Sequence, residues 1–235
     1  MGMVIYSDAI LVPLSLFLTM GYHAYLLQYY FRNNPTLATT GVDAIRRRMW
    51  VLSIKEDNQK KSMLAVQSSR NSLMATILGA AIAVALNSSL AALTNNTYNA
   101  AHLFNSTLLG LHSGQALVLK YGLASILLLS SFLCSSMALG CLTDANFLVS
   151  VPNGLSPEHL QAMFDRGFIL AFIGNRALYA TFPLLLWLFG PIAVALSSMA
   201  LIWVLYELDF GGNGVKVNLP RTSPACNVKL LSEVC

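Results

Sequence analysis

Charge is what this sequence has least of. Only 10% of its 235 residues are Asp, Glu, Lys or Arg, against roughly 25% in soluble domains. With 56% hydrophobic residues, that poverty excludes the soluble and disordered classes and reads as an integral membrane protein. Cysteine is also scarce: Cys134 and Cys141 lie seven apart on one helical face, where buried free thiols are common, and Cys226 and Cys235 fall near the end. The histidines His23, His102, His112 and His159 are scattered. No HExxH and no Cys/His ligand spacing occurs, so neither metal nor cofactor is expected. With no nucleophile–base pair and no paired carboxylates at membrane depth, an enzyme is not expected either.

Targeting signals are missing too. The first apolar run is too long for a cleavable signal, has no basic residues before it, and ends in Asn-Asn-Pro. Tyr6 stands where a myristoylation motif wants Ser or Thr, and no prenylation box precedes Cys235.

What is present is a set of long runs without charge. A span needs about 20 apolar residues, and four are expected: about 8–30, 71–94, 117–141 and 182–206. The fold class is all-α, with residues 1–210 as one membrane domain. Gly211, Gly212 and Gly214 open a flexible tail, 211–235. Pro183 should interrupt the chain near Phe182, and Gly190-Pro191 should kink the last span.

Orientation follows from the loops. Arg32–Arg70 holds eight basic residues and three acidic ones, which places it in the cytoplasm by the positive-inside rule. Asn95–Ala116 has no formal charge and carries the acceptor patterns Asn95-Asn96-Thr97 and Asn105-Ser106-Thr107, as a lumenal or extracellular loop would. Four spans then put both termini on that outer side, in the endoplasmic reticulum or plasma membrane. Two cytoplasmic stretches look helical. In "DAIRRRMWVLSIKED", Ile45, Met49 and Leu52 share a face while Arg46, Arg47 and Arg48 offer charge to lipid headgroups; an unstructured stop-transfer flank fits equally. "LSPEHLQAMFDRG" opens with Ser156 as N-cap and Pro157 in the first turn. The basic balance is confined to membrane flanks, so lipid and not nucleic acid is the expected partner.

"SDAILVPLSLFLTMGYHAYL", "DNQKKSMLAVQSSRN", "GNRALYATFPLLLWLFGP" and "LYELDF" together resemble plant multi-pass membrane proteins catalogued as domain of unknown function 599. The resemblance runs from about Asp8 to Phe210. It implies a four-span protein and carries no activity or catalytic residue.

Function is therefore sought among polar groups at membrane depth, where they are costly. In the second span Ser69, Ser72, Thr76, Gly79, Ala83, Asn87, Ala91 and Thr94 recur every three or four residues as one small-polar stripe. Such a stripe either packs against a neighbouring helix or lines a central path in a ring of subunits. The pore reading makes Gln67, Asn71, Thr76, Gly79, Ala83, Asn87 and Thr94 the lining, Asp8, Glu207 and Asp209 an outer acidic ring, and Arg70, Lys120 and Arg176 structural or gating cations. Lys120 is expected to snorkel to the outer interface. Arg176 is expected to pair with an acid such as Asp165 or Asp144, or to reach the inner headgroups. Two functions are carried forward: a homo-oligomeric, cation-permeable channel for inorganic ions, and a scaffold that binds lipid or a partner through its basic loop.

Overall fold

The computed structural model describes residues 2–32, 45–47, 49–50, 59–103, 114–150, 157–187 and 190–211, so the expected N-cap Ser156 lies outside them. The expected tail, most of the basic loop and the second acceptor pattern lie outside them. Five long helices are described, α1 (Gly2–Arg32), α2 (Gln59–Leu103), α3 (Gly114–Ser150), α4 (Pro157–Leu186) and α5 (Pro191–Phe210), and residues 45–47 and 49–50 are helical as well. No strand occurs among the described residues, so the chain is all-α. Four stretches are long and apolar enough to cross a membrane: Val66–Asn96, Lys120–Val149, Glu158–Leu186 and Pro191–Phe210. A shorter apolar stretch, Ile10–Leu26, lies within α1.

The last expected span differs in its boundaries. α4 runs through Pro183 to Leu186. A proline removes one intrahelical donor, a loss that neighbouring helices make good at membrane depth, and Pro183 is fully buried against them. The chain breaks later. Trp187 N–H bonds back to the Pro183 and Leu184 carbonyls at 3.1 and 3.2 Å, and Gly190 N–H to Trp187 O at 3.3 Å. Gly190 has φ 128°, a conformation that favours glycine, and Pro191 then opens α5 at the position where its missing N–H costs least. Gly190-Pro191 thus separates two apolar helices instead of kinking one.

The loop expected at Asn95–Ala116 is shorter than its charge pattern implied, because α2 stays helical to Leu103. α2 is one unbroken helix from Gln59, so the charged start and the apolar run are continuous.

α3 is the centre of the bundle. It packs most extensively on α4 and next on α2, whereas α1 packs mainly on α5, and α5 joins the rest through α4. Small residues make the α3–α4 contact close. Ser131 Oγ donates to Gly174 O at 2.7 Å across it, and a Cβ on Gly174 would meet Ser135 Oγ at 2.7 Å. One core cluster joins Ala83, Leu90, Tyr121, Ala124, Leu128 and Leu184, with Leu16 and Trp187 at its margin. A second joins Leu142, Ala145 and Phe164, with Trp50 and Leu73 beside it. The molecule therefore has a three-helix body, α2–α3–α4, and an α1–α5 pair attached along α4.

Candidate functional site: an intramembrane polar junction

The small-polar stripe of α2 faces inward except at Ala91, which is exposed. Ser69, Thr76, Gly79 and Ala83 are buried, and Ser72, Asn87 and Thr94 are half-buried. Asn87 Oδ1 accepts from Ser125 Oγ of α3 at 2.7 Å. A Cβ on Gly79 would lie 3.1 Å from Asn175 Oδ1 of α4. Thr76 and Thr94 donate to Ser72 O and Leu90 O within their own helix. These are the contacts of a helix packed inside one subunit. Gln67 and Asn71 separate from the stripe. At ~100° per residue they lie roughly 120–160° from Ala83, and both are exposed. The seven residues grouped as one lining thus occupy two faces. Near the end of the stripe, Asn87, Leu90, Ala91, Thr94, Asn95, Tyr121, Gly122 and Ser125 line an open cleft of about 510 Å³ between α2 and α3.

Two members of the expected acidic ring, Asp209 and Glu207, differ in environment. Asp209 is buried in an ion pair with Arg176, their side chains 4% and 12% exposed. Its other oxygen accepts from Tyr22 Oη at 2.7 Å. Glu207 is exposed, and the Asp8 side chain lies outside the described residues. The acid that Arg176 finds is therefore Asp209 and not Asp165 or Asp144, because α5 returns alongside α4 and brings its last turn to this depth. Arg176 also stacks over the Phe172 ring, 4.6 Å from guanidinium carbon to centroid. Sequence reasoning missed Tyr22 and His23. His23 Nδ1 lies 2.9 Å from Thr19 O, and a carbonyl only accepts, so Nδ1 carries the proton and Nε2 is left as an acceptor. The signal for both was a Tyr-His pair set inside an apolar run.

The remaining basic residues divide by environment. Lys120 Nζ sits 4.8 Å above the Trp187 ring, a cation–π contact. Arg70 and Arg46 are exposed. Arg47 turns inward onto the Phe168 ring at 4.6 Å, so it is not free for lipid, and Arg48 lies outside the described residues. Trp50 meets Phe164 edge-on, 6.2 Å between centroids. Residues 45–47 and 49–50 are helical and half-buried apart from Arg46. The basic segment is thus pinned by Arg47 and Trp50 to the start of α4. Among the described residues no group of three His, Cys, Asp or Glu side chains is placed to hold a metal, and Cys134 and Cys141 are free thiols.

The profile of the family described as "Protein of unknown function, DUF599" matches residues 10–213. The chain belongs to this family. The match takes in α1 from Ile10, all of α2 to α5, and both partners of the Arg176–Asp209 pair. No curated protein and no solved structure is detectably similar to this DUF599 chain.

Proposed function

We propose that this DUF599 chain is a subunit of a homo-oligomeric membrane channel permeable to small cations. The observation that carries the reading is the exposed flank of α2. Gln67, Asn71, Ser89 and Asn96 are exposed there on a helix otherwise surfaced by Leu78, Ile82 and Leu93. A polar side chain facing lipid is unfavourable, and assembly around a water-filled axis removes that cost. Gln67 and Asn96 stand at the ends of the apolar stretch and Ser89 bonds to Ala85 O, so the cost falls on Asn71. The lining therefore moves from the inward stripe to this flank, retaining Gln67 and Asn71. Arg70 is turned ~100° from Asn71, which lets Asn71 face the axis while Arg70 meets headgroups, as cation permeation requires.

The polar junction also bears on orientation. Tyr22 lies in the last third of α1 and Asp209 in the last turn of α5, and they touch. Tyr22 of α1 and the last turn of α5 thus share one depth, which fits an odd number of crossings, with α4 and α5 as successive spans. Lys120 against Trp187 and Trp50 against Phe164 fit the same order. With the basic loop in the cytoplasm, the segment after Phe210 is cytoplasmic and the N-terminus outside, in place of both termini outside.

Reconstitution of the purified chain into planar bilayers tests the channel. Single-channel currents should fall on Gln67→Leu or Asn71→Leu and persist in Asn87→Leu. A pure oligomer that stays silent over a wide voltage and calcium range sinks the reading. The alternative, a scaffold acting through the basic loop, is supported by the docking of Arg47 and Trp50, which holds Arg46 outward. It expects Arg46→Ala to weaken binding to anionic vesicles without altering currents.

A further inference from the structure

The α1–α5 pair meets α4 along a seam that holds buried polar atoms without hydrogen-bond partners among the described residues. Within the three-helix body, Ser125, Ser131, Thr76, Thr94 and Thr181 have hydrogen-bond partners, whereas Ser69 Oγ has none among the described residues. Around the seam, four buried polar atoms have no protein partner among the described residues: His23 Nε2 on α1, Arg176 Nη1 on α4, Ser198 Oγ on α5 and Trp187 Nε1 at the turn. Ser198 is wholly buried on a helix whose main neighbours are α1 and α4. Buried polar groups are normally hydrogen-bonded, and an orphan at membrane depth is especially costly. The four are also chemically mixed. Nε2 accepts, Arg176 Nη1 and Trp187 Nε1 donate, and a hydroxyl does both. That combination suits water, which donates and accepts in a small volume, and the hydration shell of a small ion.

The same seam has a fastening and a pivot. Arg176 of α4 grips Asp209 of α5, and Asp209 also accepts from Tyr22 of α1. One guanidinium thus holds both helices of the pair to the body. At the far end of α5 the connection is the short turn through Gly190, with φ 128° and nothing within 4 Å of an added Cβ.

We propose that the seam between the α1–α5 pair and α4 is a water-accessible polar site, hinged at Gly190 and held shut by the Arg176–Asp209 ion pair. Its ligands are water and small hydrated ions. Opening separates Asp209 from Arg176, lets water reach Ser198 and the orphan nitrogens, and leaves the glycine-packed body intact. The site belongs to a single subunit and does not depend on a ring of copies.

The test is thiol labelling of the full chain in lipid nanodiscs, with the four native cysteines replaced by serine and a membrane-impermeant methanethiosulfonate as probe. Such reagents attack thiolates, which form only where water reaches. Ser198→Cys is the probe position. Ala138→Cys, fully buried on α3, is the control. The expectation is that Ser198→Cys reacts at least tenfold faster than Ala138→Cys. It should accelerate at least tenfold again when Arg176→Gln and Asp209→Asn are combined, a pair of changes that removes the ion pair without stranding a charge. Tyr22→Phe keeps both charges and removes one bond, so a smaller acceleration there carries the test if the double variant does not fold. Equal rates at Ser198→Cys and Ala138→Cys overturn the site. Labelling that no variant accelerates overturns the ion pair as its closure. Neither result depends on whether the protein conducts.

Discussion

Replacing Gly174 by alanine tests whether the close approach of α3 and α4 is what the bundle is built on. The added methyl would sit 2.7 Å from Ser135 Oγ, 3.2 Å from Ser131 O and 3.3 Å from Ser135 N. Two of these three atoms are backbone, so rotating a side chain does not clear the space. Overpacking of this kind costs about 1–3 kcal/mol. Against it stands the gain of alanine over glycine in a helix, about 1 kcal/mol. Gly122→Ala isolates that second term, because nothing lies within 4 Å of its added Cβ. The two variants should therefore differ by about 1–3 kcal/mol, with Gly122→Ala equal to or above the native chain. Reversible unfolding in mixed micelles titrated with SDS measures the difference. Adding Ser135→Ala to Gly174→Ala removes the shortest contact and should restore part of the loss. If Gly174→Ala is as stable as Gly122→Ala, the close approach of the two helices is not what the stability rests on.

Asp209→Asn should cost about 3–5 kcal/mol, because it leaves Arg176 charged and buried; the combined Arg176→Gln and Asp209→Asn variant should cost less, and a double-mutant cycle reads the coupling. Asn87→Ala removes the bond from Ser125 and should cost about 0.6–1.7 kcal/mol, typical of interhelical bonds in membranes, with single-channel conductance unchanged. Trp50→Ala detaches the basic segment from Phe164, so limited proteolysis of sealed vesicles, inside out, should cut within residues 33–58 several-fold faster than in the native chain. In the same vesicles an impermeant thiol reagent should label Cys226 and Cys235 from the basic-loop side; labelling from the opposite side refutes the odd number of crossings.

α2, α3 and α5 were legible because the bilayer demands long charge-free runs, whereas α4, read as a cytoplasmic helix, was hidden as a candidate span by Glu158, Asp165, Arg166 and Arg176. The periodicity of Ser69, Thr76, Ala83 and Asn87 was legible as one face, but not what that face met, since small residues serve a packed seam and a wet pore equally well. Gln67 and Asn71 were drawn into the same group by proximity, although the helical repeat turns them away from Ala83. The break at Gly190 in preference to Pro183 depends on burial: a proline flanked by packed neighbours does not end a helix, whereas a glycine at positive φ does. The Arg176–Asp209 pair spans 33 residues and the Tyr22–Asp209 bond 187. No local pattern encodes either, because both exist only once α5 has folded back beside α4 and α1.

That reach has a consequence for how the chain is made. Arg176 leaves the ribosome 33 residues ahead of the carboxylate that neutralises it, and Tyr22 precedes the same carboxylate by 187. During synthesis the bilayer or the insertion machinery must shelter an unmatched cation until the last helix arrives. A chain stopped short of Asp209 would leave that cation unmatched, so the final turn of α5 completes the charge balance of the helices inserted before it.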